Sequence, residues 1–144
     1  MLQLCKDHKD LKKTFDTRYE VFCIEQNIEP REEVDQYDYI NDQEVKHFYL
    51  EKDNKAVCVI RVILLEDKIK IGRVCTLKEY RNKGLMHSCI KEIINYFEND
   101  PRFFYLESQV HALGFYEKLG FEKYGEEFMD AGIPHYKMKR DANV

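Results

Sequence analysis

The sequence predicts a single α/β domain, and two patterns carry that prediction. Three β-rich runs, VKHFYLEKD, AVCVIRVILL and KIKIGRVCTL, follow one another with only short polar breaks, as in an antiparallel meander. Directly after them, residues 85–98 place Met86, Cys89, Ile90, Ile93, Ile94 and Phe97 on one face of a helix. A chain of 144 residues, 44% hydrophobic and 35% charged, is long enough to bury one core. No repeat or linker divides it, so residues 1–144 are read as one domain.

The elements follow in order. Residues 1–5 read as a short strand. Leu11, Phe15, Tyr19 and Phe22 recur at near-helical spacing, which predicts a helix over 8–23. The segment EQNIEPREEVDQYDYIND is acidic and aperiodic, so it is expected to be a solvated loop or a short irregular helix. Asn54-Lys55 joins the first two strands of the meander and Glu66-Asp67 joins the second to the third. His47 lies in a strand whose alternate residues should be buried, and it is expected to be a core histidine with satisfied hydrogen bonds. Asp100-Pro101 stops the long helix, and FFYLES is another strand. A helix near 110–119 ends at Gly120, and two strands near 121–125 and 134–140 complete the chain.

Composition narrows the function. A formal net charge of -4 lacks the basic excess of a general nucleic-acid binder. No apolar run approaches the roughly 20 residues that span a bilayer. The start, MLQLCKDHKDLKK, is charged where a signal peptide would be apolar, so a soluble, cytoplasmic protein is expected. Cys5, Cys23, Cys58, Cys75 and Cys89 are odd in number and mostly set in apolar runs, which predicts reduced, buried thiols and no zinc site.

The stretch RNKGLM, residues 81–86, stands where a buried strand hands over to the amphipathic helix. A helix start presents unpaired N–H groups and a partial positive charge, which together favour an anion. Gly84 leaves that backbone uncovered, and Arg81 and Lys83 add charge at the same mouth. A phosphate socket and a glycine-assisted turn with solvated charges are both consistent with the hexapeptide alone.

With its context the stretch resembles the R/Q-x-x-G-x-G/A pyrophosphate loop of the GCN5-related N-acetyltransferases, and FYEKLGF at 115–121 resembles that family's second fingerprint. RYEVFCIEQNIEPREEVDQYD, the meander and GEEFMDAGIPHYKM are similar to its ElaA-like branch. The resemblance implies a mixed, mostly antiparallel sheet splayed after the fourth strand and flanked by helices. It implies acetyl-CoA as cofactor and a primary amine of a small molecule or peptide as acceptor. The backbone of Arg73, Val74 and Cys75 would then lie along the pantetheine arm. Arg81, Asn82, Lys83, Gly84, Leu85 and Met86 would cup the diphosphate, with Met86 departing from the family's small residue. Gln109 stands where many relatives carry an Asn that touches the cofactor, and Tyr116 matches the tyrosine that can protonate the departing sulfur.

The family has no fixed base, so Glu25, Glu107, His111 and His135 are all candidates to receive the amine's proton or to touch the acceptor. If Glu25, Glu33, Asp35 or Asp38 faced the cleft, they would favour a cationic acceptor such as a polyamine or lysine. Exposed sheet edges would allow a homodimer. Two other readings compete. The block from Arg18 to Asp38 also resembles acyl-homoserine-lactone synthases, and a non-catalytic CoA-binding or interaction module would account for Met86 and for the lack of an evident base.

Overall fold

A computed structural model describes residues 1–40 and 42–143. Asn41, inside the predicted loop, and Val144, the last residue of the predicted domain, lie outside the described residues. Seven strands form one sheet in the order β1-β2-β3-β4-β5-β7-β6. These are β1 (Gln3–Leu4), β2 (Val45–Lys52), β3 (Lys55–Leu64), β4 (Lys68–Thr76), β5 (Phe103–Gln109), β6 (Glu122–Asp130) and β7 (Ile133–Arg140). All neighbours are antiparallel except β4 and β5. Parallel pairing needs a crossover, and α3 (Leu85–Tyr96) supplies it. The other helices are α1 (His8–Arg18), α2 (Pro30–Glu33) and α4 (Leu113–Glu117). None of the described helices is long and apolar enough to cross a membrane.

Side-chain alternation gives the sheet two faces. Ile60, Ile69, Ile71, Phe104, Leu106 and Met138 meet Ile90 and Ile93 of α3 in the larger core cluster. On the opposite face Tyr49, Ala56, Val59 and Cys75 pack with Cys5 and Val21 under α1. Burial of this kind is the main stabilising term of the fold.

Four expectations need correction. The β2–β3 turn is Asp53-Asn54, one residue earlier than predicted, with φ of 54° and 62°. Two consecutive left-handed residues match the twist of a two-residue hairpin. The first helix is α-helical only to Arg18 and continues as a π-helical stretch over Tyr19–Glu25. The last hairpin is longer than the predicted 121–125: β6 runs to Asp130 and turns at Ala131-Gly132. Its polar residues gave no strand signal because β6 is an edge strand, exposed along most of its length and bulged between Tyr124 and Phe128. His47 is buried as expected, but neither of its ring nitrogens has a hydrogen-bond partner among the described residues.

The acidic segment also departs from the expected solvated loop. Arg18, fully buried, donates from Nε to Glu33 at 2.6 Å and from Nη1 to Asp38 at 2.7 Å. Arg61 reaches Asp35 at 2.7 Å and Asp38 at 3.0 Å, and Arg73 reaches Asp35 at 3.2 Å. Arg73 also binds the Glu33 carbonyl through Nη2 at 2.8 Å. Three guanidinium groups therefore balance three carboxylates and pin residues 33–38 against the sheet. Burial alone would raise the Asp38 carboxyl, but hydrogen bonds and charge from Arg18 hold it well below the usual carboxylate range.

Arg18→Met would strip the buried Glu33 and Asp38 of their nearest cationic partner. We expect a loss of about 3–5 kcal/mol, read as a lowered urea midpoint at pH 7. Burial depresses the His47 imidazole from 6.5 to about 4. Between those values the unfolded chain binds more protons than the native one, so stability is complete above the upper value and falls as pH drops toward the lower. Up to about 3 kcal/mol is at stake. Denaturation of the His47→Phe protein should show a flatter stability–pH slope in that window, and an unchanged slope would refute the assignment.

Candidate active site

The β4–β5 ladder stops early. Its pairs end at Ile71 with Leu106, whereas β4 stays paired with β3 as far as Thr76. Between them, Arg73 and Val74 together oppose the single residue Ile60, which makes a β-bulge. Arg73 takes a left-handed φ of 49° there, held by its bonds to Glu33 and Asp35. Beyond the bulge the strands part and enclose a cleft of about 980 Å³. One wall is β4 from Gly72 to Thr76, and the other is β5 from Leu106 to Gln109. With no β5 neighbour, the cleft-side main-chain groups of residues 73–75 are available to a ligand.

At one end of the cleft α3 begins. Gly84, with φ of 75°, precedes its first turn, and no side chain caps it. A Cβ on Gly84 would meet nothing within 4 Å, so the glycine serves backbone conformation and leaves the space above it open. Asn82 is also left-handed, with φ of 62°, and Asn82 and Lys83 are exposed. The unpaired N–H groups of Leu85 and Met86 belong to this first turn. Met86 packs partly into the core and partly lines the cleft.

The charged side chains of the loop are placed differently from the expectation. Arg81 forms a two-point pair with Glu25 at 2.7 and 3.0 Å and donates from Nε to the Thr76 carbonyl at 2.9 Å. It ties the π-helical stretch to the loop and engages both carboxylate oxygens of Glu25. Lys83 lies over the Tyr80 ring at 5.6 Å. The cationic side chains at the mouth are thus engaged within the protein, and the open groups there are the backbone N–H groups of the first turn.

The remaining candidates gather along the cleft. Tyr116 of α4 is buried against Phe115 and Phe121, and its hydroxyl has no hydrogen-bond partner among the described residues. Burial raises its pKa well above the ordinary phenol value. Cys75 shares the wall, and burial likewise pushes its thiol up, so it is no thiolate nucleophile. Gln109 donates to Gln26 at 3.0 Å and receives His111 at 2.7 Å, a chain that links β5 to the π-helical stretch. His135 sits opposite Gln109 on β7, stacked on Phe128. Its Nδ1 lies 2.6 Å from the Ile133 carbonyl. A carbonyl only accepts, so Nδ1 donates, and in the neutral ring Nε2 is the acceptor nitrogen. Glu107 accepts from Tyr105 at 2.8 Å and stands 3.8 Å from Lys70.

The expected anionic cleft is therefore corrected: Glu33, Asp35 and Asp38 are matched by arginines, and Glu25 by Arg81. Sequence reasoning missed Arg61, Lys70 and Gln26. Arg61 was visible as the one charge inside the otherwise apolar run AVCVIRVILL, whereas Gln26 carried no local signal.

Residues 11–142 match the family model described as an acetyltransferase (GNAT) domain. The Bacillus subtilis protein YjcF, described as an uncharacterized N-acetyltransferase, is 33% identical over 96% of this chain and 97% of its own. An acyl-CoA N-acyltransferase from Pseudomonas aeruginosa superposes with a TM-score of 0.85 at 27% identity, covering 97% and 98% of the two chains. Escherichia coli ElaA superposes with a TM-score of 0.88 at 22% identity, covering 98% and 99%. More distant neighbours of the same fold are crystallised with coenzyme A or acetyl-CoA. A family model spanning nearly the whole chain, over a splayed sheet with a glycine-capped helix at its fork, makes this protein a member of the GNAT acetyltransferase family.

Proposed function

We propose that the protein is an acetyl-CoA-dependent N-acetyltransferase that moves the acetyl group directly to a primary amine. The observation that carries this reading is the cleft at the β4–β5 fork, which joins an uncapped helix start to an open strand edge and a buried tyrosine. A diphosphate would rest on the backbone N–H groups of 84–86. The pantetheine amides would pair with the main chain of Arg73, Val74 and Cys75, as an added strand would. Gln109, joined to Gln26, would hold the far wall of the same channel.

The acceptor approaches from the α1 face, where Glu107 and His135 stand. Its ammonium first loses a proton to become nucleophilic. The nitrogen attacks the thioester carbonyl carbon, an N–C bond forms, and the C–S bond breaks with its electron pair on sulfur. The nitrogen's second proton passes to Nε2 of His135 and on to solvent, while the Tyr116 hydroxyl donates a hydrogen bond to the departing sulfur. One proton ends on the thiol and one in solution. Holding both substrates at the fork supplies much of the acceleration.

Two measurements test the reading. Calorimetric titration with acetyl-CoA should show binding at micromolar concentrations, and none below millimolar would sink it. Tyr116→Phe should lower kcat by roughly 10²-fold with an unchanged dissociation constant for acetyl-CoA. Wild-type turnover in that variant would remove Tyr116 from the reaction.

A further inference from the structure

Where the ladder ends, the cleft floor carries charges of opposite sign around a glycine. Lys70 and Gly72 of β4 share the α1 face with Glu107 of β5, one step beyond the last β4–β5 pair. A Cβ on Gly72 would meet nothing within 4 Å, so the space above it is open. Lys70 is a third exposed and stands 3.8 Å from Glu107 Oε2, beyond hydrogen-bond distance. That oxygen is already taken by the Tyr105 hydroxyl, and Oε1 has no partner among the described residues. Arg73 directs Nε and Nη2 to Glu33 and Asp35, which leaves Nη1 without a partner among the described residues. The exposed Lys137, opposite Glu107 on β7, adds positive charge at the same rim.

The Lys70 ammonium, the unpartnered Nη1 of Arg73 and an unpartnered carboxylate oxygen of Glu107 thus belong to residues that line one cleft around an open floor. Such groups call for a ligand that is anionic at one end and cationic at the other. Tyr37, Ile63 and Ile133 line the same cleft and offer an apolar wall. We propose that this is the acceptor subsite and that it takes a zwitterionic α-amino acid with an apolar side chain. Its carboxylate binds Lys70 and Arg73, and Glu107 receives its amino group. The assignment rests on the acetyltransferase reading and names its substrate class. It also reverses the polyamine-like acceptor suggested by the acidic segment, whose carboxylates are matched by arginines.

The test compares L-leucine, L-leucinamide and 3-methylbutylamine by thiol release at saturating acetyl-CoA. The second lacks the negative charge, as a peptide N-terminus does, and the third lacks the carboxyl group. The wild-type enzyme should favour leucine in kcat/KM by roughly tenfold or more, the worth of a charge-assisted hydrogen bond. Lys70→Met should collapse that preference toward one, and Lys70→Arg should restore most of it. Because the readout is a ratio between acceptors, a general loss of folded protein does not imitate it. Equal turnover of all three acceptors by the wild type, or an equal loss for all three in Lys70→Met, would overturn the subsite. So would turnover of none of them by protein that binds acetyl-CoA in calorimetry. Absence of acetyl-CoA binding would withdraw the parent reading, and this one with it.

Discussion

The constraint on which the rest of the molecule depends is the divided loyalty of β4. One of its edges stays bound to β3 through Thr76, while the other leaves β5 after Ile71. A strand can do this only if something replaces the lost ladder, because unpaired main-chain groups in a dry interior are costly. The bulge at Arg73 and Val74 turns the strand away, and the fork fills with solvent or ligand instead of side chains. The crossover from β4 to β5 is α3, so the helix start lies at the mouth of the fork as a result of chain topology. Open strand edge and open helix start are thereby consequences of one geometric decision.

The buried ion network holds that decision in place. A left-handed arginine in a strand is strained, and it persists because two bonds to the Glu33 carbonyl and one to Asp35 fix its side chain. Those partners are themselves fixed by Arg18 and Arg61. Replacing such a network by apolar groups can stabilise a fold, so its value here is better sought in position than in energy. It forms one wall of the cleft from paired charges and leaves that wall close to neutral. The electrostatic character of the floor then falls to a few side chains, Lys70 and Glu107 foremost, which stand 3.8 Å apart and are about a third exposed.

Much of the architecture was legible because its signals are local. The meander is written in period-two runs and α3 in a regular apolar stripe, and both stand where expected. The helix start at Gly84 is likewise marked by a glycine that the backbone requires at positive φ. What escaped was non-local. Nothing in PREEVDQYD says that its carboxylates turn inward, since that depends on Arg18 and Arg61 arriving from two other elements. The pairing of Arg81 with Glu25, 56 residues earlier, is of the same kind. The edge strand β6 was shortened in the reading because exposed polar residues satisfy a strand's geometry without leaving a hydrophobic trace.

The placement of titratable groups also constrains how protons move. Tyr116 lies in a dry wall among aromatic rings, and burial raises it further from the ordinary thiol range near 8–9. A phenol that holds its proton so firmly transfers it fully to a thiolate only at a penalty. It remains an excellent hydrogen-bond donor, because the charge that builds on sulfur appears in a low-dielectric site where one N–H or O–H counts for more than in water. On the proposed route the sulfur's final proton would then come from solvent as the thiol leaves. On the same proposed route the amine's proton would depart on the opposite side of the fork, where the bond from Nδ1–H to Ile133 makes Nε2 the acceptor nitrogen of the neutral His135 ring. Donor and acceptor on separate walls can each be tuned by their own surroundings, which a shared residue could not allow.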